Sequence, residues 1–158
     1  DFAVLLHLDV PPRDRDPVVE ELFDSMLLGT YAHRWFPPLE WSAVPALVER
    51  AESSRSLHRF PSNPFSSQSQ AEATEGLVAL WLIEGLCEEG RFGSLNPLLV
   101  QKGRPLDASL AEQRRLQVIA AAAYRRWWGQ ARNLERAAAA RLDPLAGTGL
   151  SWYGSVRR

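Results

Sequence analysis

Glu72, Glu75, Glu84, Glu88 and Glu89 crowd one stretch of this 158-residue chain, and carboxylates in close pairs are what general acid–base chemistry uses. Glu84 and Glu88 lie one helical turn apart on a shared face, while Glu75, nine positions before Glu84, falls about half a revolution away. Carboxylates so spaced on one helix commonly form a solvated face, so no catalytic residue is assigned. Glu84 differs from the others because it interrupts an apolar run from Leu80 to Cys87. A carboxylate there needs a partner or a raised pKa, since an unpaired buried charge is very costly. An arginine from the C-terminal half is the expected partner.

His7, His33 and His58 fall in three different elements, with no His-x-x-x-His or His–carboxylate spacing of the kind metal sites use. No metal and no cofactor are therefore assigned. No glycine-rich phosphate loop precedes a helix, and residues 149–154 miss the spacing of a nucleophile elbow. Cys87 is the single cysteine, which excludes an internal disulfide and a cysteine-built metal site. Its apolar surroundings predict a buried, inert thiol. What is left is a ligand or structural network of Glu84, Arg91, Tyr124, Trp81 and Trp127 between helices. A candidate partner surface consists of Trp41, Phe60, Asn63 and Phe65.

The elements that must position these residues are read from periodicity. Asp16 followed by Pro17 starts a first helix, because an Asp cap accepts orphan amides and proline loses nothing at the first position. Val18, Val19, Leu22, Phe23, Met26 and Leu27 form its apolar stripe, and Pro37-Pro38 is read as its stop. A second helix is expected over about 42–52, capped by Ser42 with Pro45 tolerated in its first turn. A third, over about 71–89 with Gly90 as its stop, is apolar nearly all round and so central and buried. A fourth begins at the capping-box pattern Ser109 to Glu112, with Leu116, Ile119, Ala120, Ala123 and Trp127 on one face. Gly129 is read as an interruption, and Asn133 as the cap of a last helix through about Arg141.

Between these lie long loops. Residues 53–70 are rich in Ser, Pro and Asn, and loops of that length in compact domains are often functional. Asn63-Pro64, Asn96-Pro97 and Asp143-Pro144 repeat a turn signal followed by an apolar residue. The fold class expected is all-α, a compact array of four to five helices in helical-hairpin packing like a short α-solenoid, with long ordered loops. One domain is expected over 1–158, with 1–15 and 143–158 irregular.

Net charge is −1, but residues 1–90 hold 15 acidic and 6 basic side chains, whereas 91–158 hold 4 acidic and 12 basic. The acidic half is expected to pack beside the basic half. A basic face over 113–141 for nucleic acid is not assigned, because nucleic-acid binders usually carry a net basic domain. No run reaches the roughly 18 apolar residues that a membrane span requires, so a soluble chain is expected. The first residue is Asp1 and not Met, so an upstream segment is expected to have been removed or left out.

Several stretches together resemble a family of uncharacterised, exported or lipoprotein-like bacterial helical proteins. They are Gly29-Thr30-Tyr31, residues 44–49, Phe60-Pro61-Ser62-Asn63-Pro64-Phe65, and residues 80–84. Gly90-Arg91-Phe92 through Asn96-Pro97-Leu98, Tyr124 with Trp127-Trp128, and Asp143-Pro144-Leu145 through Trp152 complete them. The resemblance covers about 28–152; the arginine-rich, lysine-poor composition departs from it, and residues 1–16 match nothing in it. It implies a periplasmic or cell-surface location and carries no established activity across. The function expected is a non-enzymatic protein-interaction module of the bacterial envelope, with an unknown protein partner. Two alternatives stand beside it: a small-ligand binder or enzyme with a pocket near Glu84, and an immunity-type protein that binds a toxin.

Overall fold

The computed structural model describes residues 15–33 and 35–157. His7, the apolar stretch 2–10 and most of the N-terminal segment read as irregular lie outside the described residues. Five α-helices occur among those described: α1 (Pro17–Leu27), α2 (Val44–Glu49), α3 (Glu75–Cys87), α4 (Leu110–Ala131) and α5 (Arg136–Arg141). A 3-10 turn, Trp41–Ala43, leads into α2. The fold is mostly helical but not strictly all-α. Two antiparallel pairs join β1 (Ser56–Leu57) to β2 (Ala73–Thr74) and β3 (Leu99–Gln101) to β4 (Leu150–Trp152).

The centre is α3, in which all thirteen residues are buried. Seven of them are the large apolar side chains Leu77, Val78, Leu80, Trp81, Leu82, Ile83 and Leu86, spread around the whole circumference. Such a helix has no face for water and must be covered on every side. Helices α2, α4 and α5 all pack on it, so the array surrounds one helix and does not repeat a hairpin along an axis. This replaces the solenoid-like packing expected from the turn repeats. The repeats themselves diverge: Asn63 and Asp143 accept the amides of Phe65 and Leu145, both at 3.0 Å, whereas the Asn96 side chain is turned into the protein.

Local chemistry sets several boundaries. Asp16 caps α1 by accepting the Val18 and Val19 amides at 2.9 and 3.2 Å. The helix ends well before Pro37, because Gly29 takes φ 74° and the chain leaves the axis there. Ser42 lies within the 3-10 turn and does not cap α2. Ser109 accepts the Glu112 amide at 3.4 Å. The reciprocal half of the capping box is missing, since Asp107 takes the Ser109 amide and Glu112 pairs with Arg115. Helix α4 runs through Gly129 without a break, and Glu135, not Asn133, precedes α5.

Buried amides tie the strands to the helices. Gln113 Oε1 accepts the Leu99 amide at 2.8 Å and its Nε2 donates to the Leu99 carbonyl at 2.9 Å. One side chain thus covers the open edge of β3 as a third strand would. Gln117 Nε2 donates to Ala51 and Ser53 carbonyls while its Oε1 accepts the Thr74 hydroxyl at 2.5 Å. Thr74 in turn caps α3 by accepting the Leu77 amide. Among the described residues two ion pairs join the acidic and basic halves, Arg125–Glu52 at 3.0 Å and Arg157–Glu84 at 2.6 Å. No helix among the described residues is long and apolar enough to cross a membrane.

Candidate functional site

Glu84 faces the interior from the last turns of α3 and is 1% exposed. Both carboxylate oxygens are occupied. Arg157 Nε donates to Oε1 at 2.6 Å, and the Tyr124 hydroxyl donates to Oε2 at 3.3 Å. Trp152 Nε1 donates to the Tyr124 oxygen at 2.9 Å, and Arg157 also donates to the Ala140 carbonyl at 3.1 Å. The network therefore ties the C-terminal tail to α3, α4 and α5. Burial pushes the Glu84 carboxyl above its ordinary range, and the Arg157 charge offsets this only in part. For Arg157 burial acts against the charge, but Glu84 outweighs it and holds the guanidinium above its usual range. The two balances differ because Glu84 is the more deeply buried member of the pair.

Of the residues expected at this network, Tyr124 meets Glu84 directly. Trp127 packs edge-on to Tyr124 and donates to the Ala139 carbonyl at 3.3 Å. Trp81 donates to Ser94 at 2.5 Å and stacks on Phe92, away from the carboxylate's bonds. Arg91 is exposed, and the place at Glu84 belongs to Arg157. Arg91 follows the reversal at Glu89 and Gly90, with φ 60° and 80°, and its amide closes on the Glu88 carbonyl. Sequence reasoning missed Arg157 because it sits in a tail read as irregular, 73 positions from its partner. A cavity of about 170 Å³ adjoins Glu84, Trp152 and Arg157. Cys87 is buried, and its thiol is pushed up to about 12, chiefly by burial. Among the described residues no three His, Cys, Asp or Glu side chains come together as metal ligands would.

The expected partner surface divides in two. Trp41 joins an aromatic cluster with Trp127 and Trp128, with the Arg136 guanidinium 5.8 Å from its ring centre. Phe60, Asn63 and Phe65 belong to the loop between β1 and β2. That loop is pinned along residues 94–97. Asn63 donates to Ser94 and Leu95 carbonyls through its side chain and backbone. Asn96 Nδ2 donates to the Gln68 carbonyl at 3.4 Å and to Gln70 Oε1 at 3.3 Å, and Ser66 Oγ bonds Asn96 Oδ1. Gln70 Nε2 reaches the Pro97 carbonyl at 3.3 Å.

Beneath this loop lies an open groove of about 470 Å³, bounded by Tyr31, His33, His58, Arg59, Phe60, Gln70 and Asn96 among others. The two described histidines, far apart in sequence, therefore meet at one depression. Their scatter along the chain gave no spacing signal for this. A smaller, mainly apolar hollow of about 230 Å³, lined by α1 residues and Pro37-Pro38, also takes in His33.

The fold and these two sites define a mostly helical domain with a largely buried ionic knot and a polar groove under a pinned loop. The chain belongs to the family described as a domain of unknown function (DUF4943), which matches residues 14–153. The match takes in all five described helices, including α1, which lies before the stretches of resemblance. Neither the curated proteins nor the solved structures contain a match to this chain.

Proposed function

We propose that this chain is a non-enzymatic protein-interaction module whose partner meets the loop face led by Phe65. The observation that carries this reading is that Phe65 is 92% exposed on a turn that its neighbours hold in place. Asn63 Oδ1 accepts the Phe65 amide at 3.0 Å, and the Asn63 carbonyl accepts the Ser66 amide at 3.0 Å. Asn63 is itself tied to Ser94 and Leu95. An exposed ring on a pre-ordered turn loses little conformational entropy on binding, which is how aromatic anchors work at interfaces. Phe60 adds half-buried apolar area at the base of the loop. Trp41 is engaged by its own cluster, so the surface is narrower than the four residues expected.

The reading of Glu84 as a ligand or catalytic group is disfavoured, because both its oxygens already have partners, Tyr124 on α4 and Arg157 in the tail. An envelope location is part of the proposal and is supported by the resemblance to exported bacterial proteins. Fractionation of the native host, with the chain tracked by antibody, tests that part. The interface is tested with a partner captured from envelope extract and then purified. Phe65→Ala should weaken its affinity about 30-fold or more, the loss typical of a central aromatic anchor, with the thermal midpoint unchanged. Equal affinity in the variant would refute the assignment of this face.

A further inference from the structure

The groove under the loop holds an arrangement that a purely structural role does not use. Tyr31 is only 5% exposed, lines the groove, and its hydroxyl has no hydrogen-bond partner. A buried donor left without an acceptor costs stability, so such groups in proteins ordinarily have a partner. Burial pushes this hydroxyl up to about 12, so it stays a neutral donor throughout the physiological range. Around it stand the exposed side chains of Arg59, His33 and His58. No Asp or Glu lines the groove among the described residues.

The amide wall is not where the free capacity lies. Asn96 donates its N–H groups to the Gln68 carbonyl and Gln70 Oε1, and Gln70 donates its own to the Glu72 and Pro97 carbonyls. These bonds make the wall rigid and leave the groove's other donors to Tyr31, Arg59 and the two imidazoles. All can donate, and one is a fixed cation. A depression of this volume falls within the range of small-molecule sites, roughly 300–1,000 Å³. The half-buried Phe60 ring supplies an apolar side to the same space.

We infer that this groove binds a small oxyanion, a carboxylate- or phosphate-bearing molecule of about monosaccharide size, with Arg59 taking the charge and Tyr31 donating to it. Arg59 can meet a carboxylate or phosphate with two parallel N–H groups. The site is separate from Phe65, so it stands or falls independently of the partner surface.

Isothermal titration calorimetry of the full chain with inorganic phosphate, gluconate and glucose tests the assignment. Saturable binding of phosphate or gluconate, with glucose silent, is the expected result, and which anion binds more tightly identifies the headgroup. Arg59→Gln should then weaken that anion about tenfold or more, as the loss of one charge-assisted contact does. Tyr31→Phe should weaken it several-fold while relieving the orphaned hydroxyl, so its thermal midpoint should not fall. Phe65→Ala should bind the anion as the parent does. No saturable heat with either anion up to about 10 mM would overturn the inference. So would glucose binding as tightly as gluconate, or parental affinity in both Arg59→Gln and Tyr31→Phe.

Discussion

At the scale of single residues, Glu84 is the group whose protonation most directly reports the fold. Its native carboxyl is raised above the ordinary value of 4.5, first by burial, with Asp143 adding to it and Arg157 and Tyr124 opposing. The native state therefore holds this proton more tightly than the unfolded chain does. The stability it contributes is fully present below the unfolded value and is lost as pH rises through the raised native one. Urea unfolding of the parent and of Glu84→Gln between about pH 4 and 8 should show their difference falling as pH rises. A difference that grows with pH would mean that the Arg157 charge outweighs burial. That Glu84 needs a partner or a raised pKa was legible in the sequence, because a bare charge inside an apolar run is too costly. Which arginine supplies it was not.

At the scale of elements, α3 was the most legible part of the chain, since an apolar circumference admits only a central helix. Its entry point shows how closely it is seated. A Cβ built on Gly76 would overlap Gln117 Nε2 and the Ala51 carbonyl oxygen. Gly76→Ala should therefore cost about 1–2 kcal/mol, the overlap exceeding the helix-propensity gain of about 1 kcal/mol. Gly129 is the matched control, with nothing within 4 Å of a built Cβ. Gly129→Ala should gain up to about 1 kcal/mol, because α4 is continuous there. Denaturant midpoints of the two variants check both signs, and a stabilised Gly76→Ala would contradict the packing described. The strands were not legible. Two or three residues cannot display an alternation, and β3 and β4 pair across about fifty positions of chain.

For the whole molecule, the tail is the closing element. Residues 143–158 were expected to be irregular, but β4 pairs with β3, Trp152 is buried against Tyr124, and Arg157 ends in the ionic knot. Breaking a buried pair by removing one partner leaves the other charge uncompensated. Arg157→Met should thus lower stability by about 3 kcal/mol while Glu84 is ionised, and by less as pH falls through the raised native value of Glu84, where the carboxyl takes up a proton. Hydrogen exchange should show the loss reaching β3 and α5, since the tail touches both. Protection unchanged outside the last few residues would show that the tail is an appendage.

The sequence by itself determined the helices and several of their ends, because caps such as Asp16 and Ser109 act over three or four residues and a stripe declares its own period. It also determined that Glu84 could not stand alone, and the turns at Asn63 and Asp143. Tertiary structure alone decided that Arg157 answers Glu84, that Gln113 serves as a strand edge, and that Tyr31, His33, His58 and Arg59 share one groove. Each of these joins positions far apart in the chain. No local pattern encodes which distant side chain will fill a given gap; packing around α3 makes that choice.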